Sequence, residues 1–349
     1  MRDSTLSRDD LASTGRAHAS NAAARATPGR ATDGRSAGLV RANGIEIAYA
    51  ENGGKDAPVI LLIMGLGMQL IAWPEAFCEG LAAQGFRVVR FDHRDVGGST
   101  KMKLKTYGAI TLVNALARAW AGLPVKAPYT LRDMATDAIG LLDALGIERA
   151  HIVGASMGGM IGQIIAADHP DRAASLVSMM SSSGNPALPH PDPKVLKVLL
   201  WPRPRNNRER AIRQAMELFR IIGSPDFPTS EVELRANAER SISRCYYPAG
   251  VTRHFLAIQA SGSRVDMLRC IRVPTLVLHG TDDPLIPVEA GKDTAANISG
   301  AKLRIIRGMG HDLPRALLPT LINAIAEHCM VADRQALHVK SRRPTENSS

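Results

Sequence analysis

The segment from Ala150 to Gly159, AHIVGASMGG, constrains the fold of this chain more than any other stretch. A short apolar run ends in Gly154-Ala155-Ser156-Met157-Gly158, and the apolar helical pattern MIGQIIAADH follows it. This order predicts a strand, a sharp turn and a helix, with Ser156 at the tip of the turn. The glycines, including Gly159, let strand and helix approach closely around a strained serine. The pattern is typical of a nucleophile elbow; the alternative is a serine that caps a helix.

Strands and helices alternate on both sides of this turn. A hairpin is indicated at 39–49, where two alternating runs flank Asn43-Gly44. A continuous apolar run that suits a strand buried on both faces occurs at 58–64, and further strands are indicated at 86–91, 174–180, 273–279 and 302–306. Helical patterns occur at 73–84, 110–121, 129–145, 208–222, 230–243 and 314–328. We therefore predict an α/β fold, a mostly parallel eight-stranded sheet with helices on both faces.

The alternation stops between residues 185 and 268, where helical patterns occur without a convincing strand. This stretch is expected to form a helical cap over the strand ends, inserted between two parts of the core at 39–184 and 269–331. Residues 1–38 are rich in Ala, Arg, Ser and Gly and have no apolar segment of the kind found in secretory signals. They are predicted to be a disordered tail, and residues 332–349 another.

The amino-acid composition limits the classes of protein to which this chain can belong. Of the 349 residues, 45% are hydrophobic and 22% charged, which is ordinary for a globular chain with a sizeable core. No apolar run is long enough to span a membrane. The net charge of +10 is scattered, and its densest cluster lacks the aromatic residues of a nucleic-acid site. That cluster consists of Arg203, Arg205, Arg208 and Arg210.

The four cysteines lie far apart in the sequence, without the close pairs of a zinc site or a disulfide framework. They are Cys78, Cys245, Cys270 and Cys329. A reducing cytoplasm is therefore the expected location. The turn Gly65-x-Gly67 lacks the further glycine and the distal acid of a dinucleotide site. We expect no cofactor and no metal.

A serine nucleophile needs a base to take its proton and a carboxylate to orient that base. In open α/β sheets, site residues gather at the carboxyl ends of the strands. Two strands after Ser156 are followed by suitable groups: Asp282-Asp283 after the first, and Gly310-His311 after the last. The remaining histidines fit other roles: His93 and His279 are expected to support loops, and His151 opens a strand.

These motifs together resemble the α/β-hydrolase fold family across about residues 39–330. The elbow at Gly154–Gly158 resembles the family's nucleophile turn, Gly280-x-x-Asp283 its acid turn, and Gly310-His311 its histidine turn. The loop Asp92-His93-Arg94-Asp95 is similar to that of esterases of the polyketide methylesterase kind. The resemblance implies Ser156 as nucleophile, His311 as general base and then acid, and Asp283 as the orienting carboxylate.

The same resemblance implies an oxyanion hole formed by the amides of Leu66 and Met157. The family often has His-Gly before this turn, whereas this chain has Met64-Gly65 and so lacks one side-chain hydrogen bond. For Asp282, capping of its own turn is the expected role. The apolar substrate pocket is expected to be walled by Met68, Gln69, Trp73, Met157, Leu285 and Met309.

The expected activity is metal-independent hydrolysis of a small-molecule ester with an apolar acyl or alcohol part. A serine at the elbow argues against the dehalogenase and epoxide hydrolase branches, which have aspartate there. Three alternatives use the same fold: cofactor-free perhydrolysis of the haloperoxidase kind, C–C bond hydrolysis, and a non-enzymatic ligand receptor. Peptidase action on N-terminal proline is disfavoured because the proline-rich oxyanion turn is missing.

Overall fold

The computed structural model describes residues 29–30, 35–204 and 206–341, and it is built around one twisted sheet. The strands in chain order are β1 (Gly29–Arg30), β2 (Arg35–Ala42), β3 (Ile45–Asn52), β4 (Val59–Ile63), β5 (Arg87–Phe91), β6 (Ala150–Ala155), β7 (Ala173–Met179), β8 (Thr275–Gly280) and β9 (Lys302–Ile306). Their order across the sheet is β1-β2-β3-β5-β4-β6-β7-β8-β9. The six parallel strands are β5, β4, β6, β7, β8 and β9, in their order across the sheet. Strands β1, β2 and β3 form an antiparallel edge. The predicted eight-stranded sheet is confirmed, with the two-residue β1 added at its edge.

Helices cover both faces of the sheet. They are α1 (Glu75–Ala83), α2 (Ala109–Trp120), α3 (Leu131–Ala144), α4 (Met157–Asp168), α5 (Pro193–Leu200), α6 (Arg208–Ile222), α7 (Glu231–Arg244), α8 (Pro248–Ser261), α9 (Val265–Cys270), α10 (Val288–Asn297) and α11 (Leu318–Ser341). Alternate residues of β4 enter opposite cores: Leu61 and Ile63 pack towards α3 and α4, and Ile60 and Leu62 towards α1 and α11. This two-sided burial explains why β4 reads as an unbroken apolar run.

Local signals explain where several elements begin and end. The β2–β3 hairpin turns at Asn43 and Gly44, which have φ of 48° and 76° as a tight hairpin turn requires. The start of α3 is a capping box, in which the Thr130 side chain accepts from the Asp133 amide and the Asp133 carboxylate accepts from the Thr130 amide. Such caps satisfy backbone groups that a helix end leaves without partners.

The helical insert is divided between two positions in the molecule. Helices α5, α6 and α7 pack against one another above the strand ends. In contrast, α8 packs on α2 and α3, and α9 packs on α4 and α10. The predicted cap boundaries of 185 and 268 are therefore wrong at the second end, because Leu256, Ala257 and Leu268 are buried within the core clusters. We call α5, α6 and α7 the roof.

Both predicted tails are too long. Strand β2 already begins at Arg35 and pairs with β3 along its length. Helix α11 continues to Ser341, because the stretch after residue 331 is rich in good helix formers and buries Ala332 against the core. Apart from β1 at residues 29–30, the rest of both predicted tails lies outside the described residues. Within the described residues, none of the helices has the length and apolar content needed to cross a membrane.

Candidate active site

Ser156 occupies the turn between β6 and α4 in a backbone conformation that few residues other than glycine adopt. Its φ is 57° and its ψ is −122°. A Cβ atom at Gly154 would lie 2.1 Å from the carbonyl oxygen of Gly158, and one at Gly158 would lie 1.9 Å from that of Ile63. The Ser156 amide donates to the Met179 carbonyl at 2.9 Å. Close backbone packing thus holds the strained turn and leaves the serine side chain at the wall of a cavity.

His311 and Asp283, which follow β9 and β8, are in direct contact. The Nδ1 atom of His311 lies 2.6 Å from Oδ2 of Asp283, and both residues are buried. The other oxygen of Asp283 accepts hydrogen bonds from the amides of Leu285 and Ile286 at 2.9 and 2.8 Å. A carboxylate fixed in this way accepts a hydrogen bond from Nδ1–H of the imidazole and leaves Nε2 free to act as a base.

Asp282 has a different environment from its neighbour. Its carboxylate accepts from the Gly308 amide at 3.1 Å and from the Thr281 hydroxyl at 2.5 Å. Those contacts tie the turn after β8 to the turn before His311. The structure thus brings Asp283, and not Asp282, to the imidazole.

Ser156 and His311 line the same cavity. Among the described residues, the Ser156 hydroxyl makes no hydrogen bond to the imidazole. The structure therefore joins two of the three candidate residues directly and puts the third on the same wall. Hydrogen bonds of this kind are often long without substrate and tighten when it binds.

The turn after β4 passes beside the serine. A Cβ atom at Gly65 would lie 3.1 Å from Cβ of Ser156, so a larger residue would crowd the serine side chain. Leu66 follows on the cavity wall, while Met157 is the first residue of α4. Neither amide donates to a backbone carbonyl among the described turns and loops. Both are therefore free to donate to a substrate oxygen.

Two buried histidines hold this turn. His93 donates from Nε2 to the Met64 carbonyl at 2.9 Å. His254 donates from Nε2 to the Arg94 carbonyl at 2.8 Å and accepts from the Gly67 amide at Nδ1, 3.2 Å away. Burial lowers the pKa of His93 and lowers that of His254 to about 3, so both rings are neutral near pH 7. Their hydrogen bonds hold the turn after β4 in place, which the Met64 side chain cannot do because it has no hydrogen-bond donor.

The loop-supporting role predicted for His93 agrees with its contact. His279 donates to the Ile286 carbonyl at 2.8 Å, and His151 contacts the Ser175 hydroxyl at 2.9 Å from within β6. The sequence did not single out His254, because nothing in α8 marks the side chain that reaches the oxyanion turn.

The cavity above Ser156 has a volume of about 570 Å³. We call the turns after β4, β6, β8 and β9 its floor, and the roof helices close it from above. Among the predicted pocket residues, those on its wall are Met68, Gln69 and Leu285. The apolar side chains from the roof on its wall are Leu199, Ala211, Ala215, Leu218, Phe219, Ile222, Leu234, Ala238 and Ile242.

The other predicted pocket residues do not line this cavity. Trp73 is buried and stacks on Phe77 at 5.3 Å between ring centroids. Met309 is fully buried in the core beside Gly280, and the Met157 side chain is buried in the cluster on the opposite face. The prediction is wrong for these three side chains, since apolar residues next to a site turn can point into the core as well as into the pocket.

Polar contacts join the roof to the core on two sides. Arg244 at the end of α7 donates to Asp92 and to Gln69, both at 2.6 Å. The amide of Gln69 in turn donates to the Ser241 and Cys245 carbonyls at 2.7 and 2.9 Å. Gln69 is thus a buried link between the turn after β4 and α7 rather than a simple pocket wall.

On the other side, the end of α6 contacts the histidine turn. The His311 amide donates to the Ile222 carbonyl at 2.7 Å, and the Ser224 hydroxyl donates to Asp312 at 2.5 Å. Burial raises the pKa of Asp312. The position of His311 therefore depends on where α6 ends. These residues carry no recognisable motif, so the sequence did not reveal them.

Among the described residues, no group of three or more His, Cys, Asp or Glu side chains is positioned to hold a metal ion. The four cysteines are free thiols.

Comparisons with a family model, with known sequences and with solved structures agree on one protein family. Residues 58–314 match the alpha/beta hydrolase fold family. A rhodomycin D methylesterase of Streptomyces sp. (strain C5) is 30% identical over 295 residues, which cover 79% of this chain and 92% of that protein. A putative carbamate hydrolase of Caulobacter sp. (strain K31) is 26% identical over 295 residues, covering 78% and 91%.

Among solved structures, the enol-lactonase from Burkholderia xenovorans LB400 has a TM-score of 0.61 at 24% identity, and the match covers 84% of this chain and 98% of that one. The resemblance to α/β-hydrolases, and to methylesterases among them, is confirmed. The chain is therefore an enzyme of the α/β-hydrolase fold family.

Proposed function

We propose that this protein hydrolyses a carboxylic ester that has an apolar part, using Ser156, His311 and Asp283 and an acyl-enzyme intermediate. The observation that carries the proposal is the 2.6 Å contact between His311 and Asp283 on the cavity where the strained Ser156 also lies. The methylesterase relative supports an ester as the substrate.

The reaction follows from the proton positions. Nε2 of His311 takes the hydroxyl proton as Ser156 Oγ attacks the ester carbonyl carbon, and Asp283 stabilises the imidazolium that forms. The imidazolium then gives the proton to the departing alkoxide, which leaves as the alcohol. Water attacks the acyl-enzyme, His311 takes one of its protons, and that proton returns to Ser156 Oγ as the carboxylic acid is released.

Negative charge develops on the carbonyl oxygen in both steps. The amides of Leu66 and Met157 are the proposed donors to that oxygen, because neither donates to a backbone carbonyl among the described turns and loops. Met157 follows Ser156 in the chain, and Leu66 follows Gly65, which lies against the serine side chain. Removing one such donor typically costs about a hundredfold to a thousandfold in kcat. The bracing of the Leu66 turn by His93 and His254 supports this role.

The shape of the cavity supports a bulky apolar substrate. A volume of about 570 Å³ falls within the range of sites that bury a drug-sized ligand. Apolar side chains of α6 and α7 form much of its upper wall, so the roof would bury the apolar part of the ester.

The test is hydrolysis of p-nitrophenyl esters, from acetate to decanoate, by wild type and Ser156→Ala. Wild type is expected to turn over, and the variant is expected to lose activity by about 10⁴-fold or more. Ser263→Ala, on an exposed loop, is the matched control and should behave like wild type. Equal activity of Ser156→Ala and wild type would overturn the proposal.

Two further measurements distinguish ester hydrolysis from the receptor and perhydrolase alternatives. A fluorophosphonate probe should label Ser156 in wild type; failure of both labelling and turnover would favour a non-enzymatic receptor. Peroxide-dependent bromination faster than ester hydrolysis would instead favour a perhydrolase.

A further inference from the structure

Arg203 belongs to the arginine cluster that the sequence singled out, but it lies apart from the rest of that cluster's described members. It stands in the loop between α5 and α6 and lines the cavity above Ser156. It also lines a second cavity of about 300 Å³ beside α2 and α8. Arg208 and Arg210 are exposed on α6 and line neither cavity. Arg203 is thus the described member of the cluster that lines the cavities, and Arg240 and Arg315 also line the larger one.

Arg203 has no hydrogen-bond or ion-pair partner among the described residues. The buried Arg94 is paired with Asp137 at 2.6 Å, and the buried Arg253 with Asp95 at 2.7 Å. The buried Arg264 has no carboxylate partner but donates to the oxygens of Gln163, Gly262 and Ser182. The described group that interacts electrostatically with Arg203 is the neutral phenol of Tyr246. A cation removed from water without a counter-charge is costly, so its retention calls for an explanation.

The loop around Arg203 is fixed rather than free. The Tyr246 hydroxyl donates to the Pro204 carbonyl at 2.7 Å, and the Gln214 amide donates to the Trp201 carbonyl at 3.3 Å. Tyr246 and Gln214 also line the cavity. Packing around the guanidinium lowers the pKa of Arg203, while part of its surface opens to the cavity. An arginine remains charged under these conditions.

We propose that Arg203 binds a carboxylate on the substrate, at the end remote from the scissile ester. The substrate is then an apolar ester that also carries an acid group. The proposal rests on the proposed function, since it takes Ser156 as the reacting end of the cavity. A guanidinium offers paired N–H donors that match a carboxylate, and partial removal from water strengthens the interaction. The ligand would supply the counter-charge that the protein lacks.

The experiment compares two matched ester series. One series is the mono-p-nitrophenyl esters of straight-chain dicarboxylic acids from four to ten carbons, and the other is the p-nitrophenyl alkanoates of the same lengths. The measured quantity is the ratio of kcat/KM for the acid-bearing ester to that for the neutral ester at each length. We expect this ratio to peak at one chain length in wild type. At that length, Arg203→Gln should lower it about tenfold or more.

Two variants control for other effects of lost charge. Arg208→Gln removes a nearby exposed arginine outside both cavities and should keep the wild-type ratio within about twofold. Arg203→Lys keeps the positive charge and should give an intermediate ratio, because a lysine lacks the paired donors. If Arg203→Gln does not fold, the lysine variant still provides the comparison.

The proposal is overturned if the ratio is the same in wild type and both Arg203 variants, or if Arg208→Gln lowers it as much as Arg203→Gln does. Failure of the proposed function gives a different result: wild type would then hydrolyse neither series, or Ser156→Ala would hydrolyse them equally well.

Discussion

The floor and the roof of the cavity are held in place by different kinds of contact. On the floor, backbone meets backbone: a Cβ at Gly158 would lie 1.9 Å from the Ile63 carbonyl, and a Cβ at Gly280 would lie 2.0 Å from that of Met309. In the roof, α6 and α7 are joined by exposed side-chain pairs, Arg235 with Glu209 and Arg220 with Glu231.

We infer from this contrast that the rigid floor serves bond-breaking and that the roof serves the choice of substrate. Bond-breaking needs its groups within fractions of an ångström, and backbone packing supplies that rigidity. Apolar walls and long side chains adapt to different ligands, so a roof built from them can change its preference without disturbing the floor. Arg203, on a roof loop, is one of the charged residues on the cavity wall, and it is the proposed contact for a charged substrate.

The largest expected effect tests the rigidity of the floor. Gly158→Ala puts a methyl group against the backbone of β4, where neither strand nor helix can move away. We expect a loss of about 4 kcal/mol or more of unfolding free energy, measured by urea denaturation followed by circular dichroism. Gly54→Ala is the control, because its added Cβ would meet nothing within 4 Å. Wild-type stability of Gly158→Ala would show that the elbow is not tightly packed.

The next effect concerns the two adjacent aspartates. Asp283→Asn keeps the size of the side chain but favours the wrong tautomer of His311, so kcat should fall about 10³- to 10⁴-fold. Asp282→Asn alters only the contacts with Thr281 and Gly308 and should lower kcat less than about tenfold. Ester hydrolysis under saturating substrate measures both. Similar losses in the two variants would remove the distinction between them.

A smaller effect is expected where α8 braces the floor. His254→Leu removes the acceptor for the Gly67 amide and the donor to the Arg94 carbonyl. The oxyanion turn should become less well positioned, with kcat lowered about tenfold to a hundredfold and KM changed little. A variant that is less stable but retains wild-type kcat would show that His254 supports only the fold.

The same contrast explains what could be predicted from the sequence. The elbow and the turns of Asp283 and His311 were found because glycines, strand ends and chain order mark them locally. The bounds of α6 were also found, since its apolar residues recur at helical spacing.

Residues whose role depends on distant contacts were missed. His254 reaches a turn that lies 187 residues earlier in the chain, and no local pattern encodes that contact. Trp73 was assigned to the pocket because it follows the oxyanion turn, but its ring points into the core. The position of Arg203 depends on how the roof helices pack, and that packing is set by side chains rather than by a motif.

Buried histidines of the core should make stability depend on pH. Burial lowers the pKa of His328 to about 4, whereas the unfolded chain has the ordinary value of about 6.5. Below pH 6.5 the unfolded state therefore binds more protons, and stability falls as the pH falls towards 4. At pH 5 this histidine should cost about 2 kcal/mol relative to pH 7.5. Urea denaturation of His328→Gln at both pH values should show a loss smaller by that amount; an unchanged loss would contradict the assignment.

The smallest expected effect lies in the roof and completes the comparison. Glu209→Gln breaks the contacts of Arg235 with Glu209 on the outer surface, where water and salt screen the charges and compete for the hydrogen bonds. The pKa of Glu209 is lowered by those hydrogen bonds, yet water reaches both side chains of the pair, so the melting temperature should match that of wild type in low and high salt. Thermal unfolding at about 10 mM and 500 mM NaCl measures this. A marked decrease of the melting temperature confined to low salt would mean that ion pairs hold the roof together. An unchanged melting temperature assigns its cohesion to the apolar contacts between α6 and α7, which also wall the cavity. In that case the surface that selects the substrate is also the surface that holds the roof together.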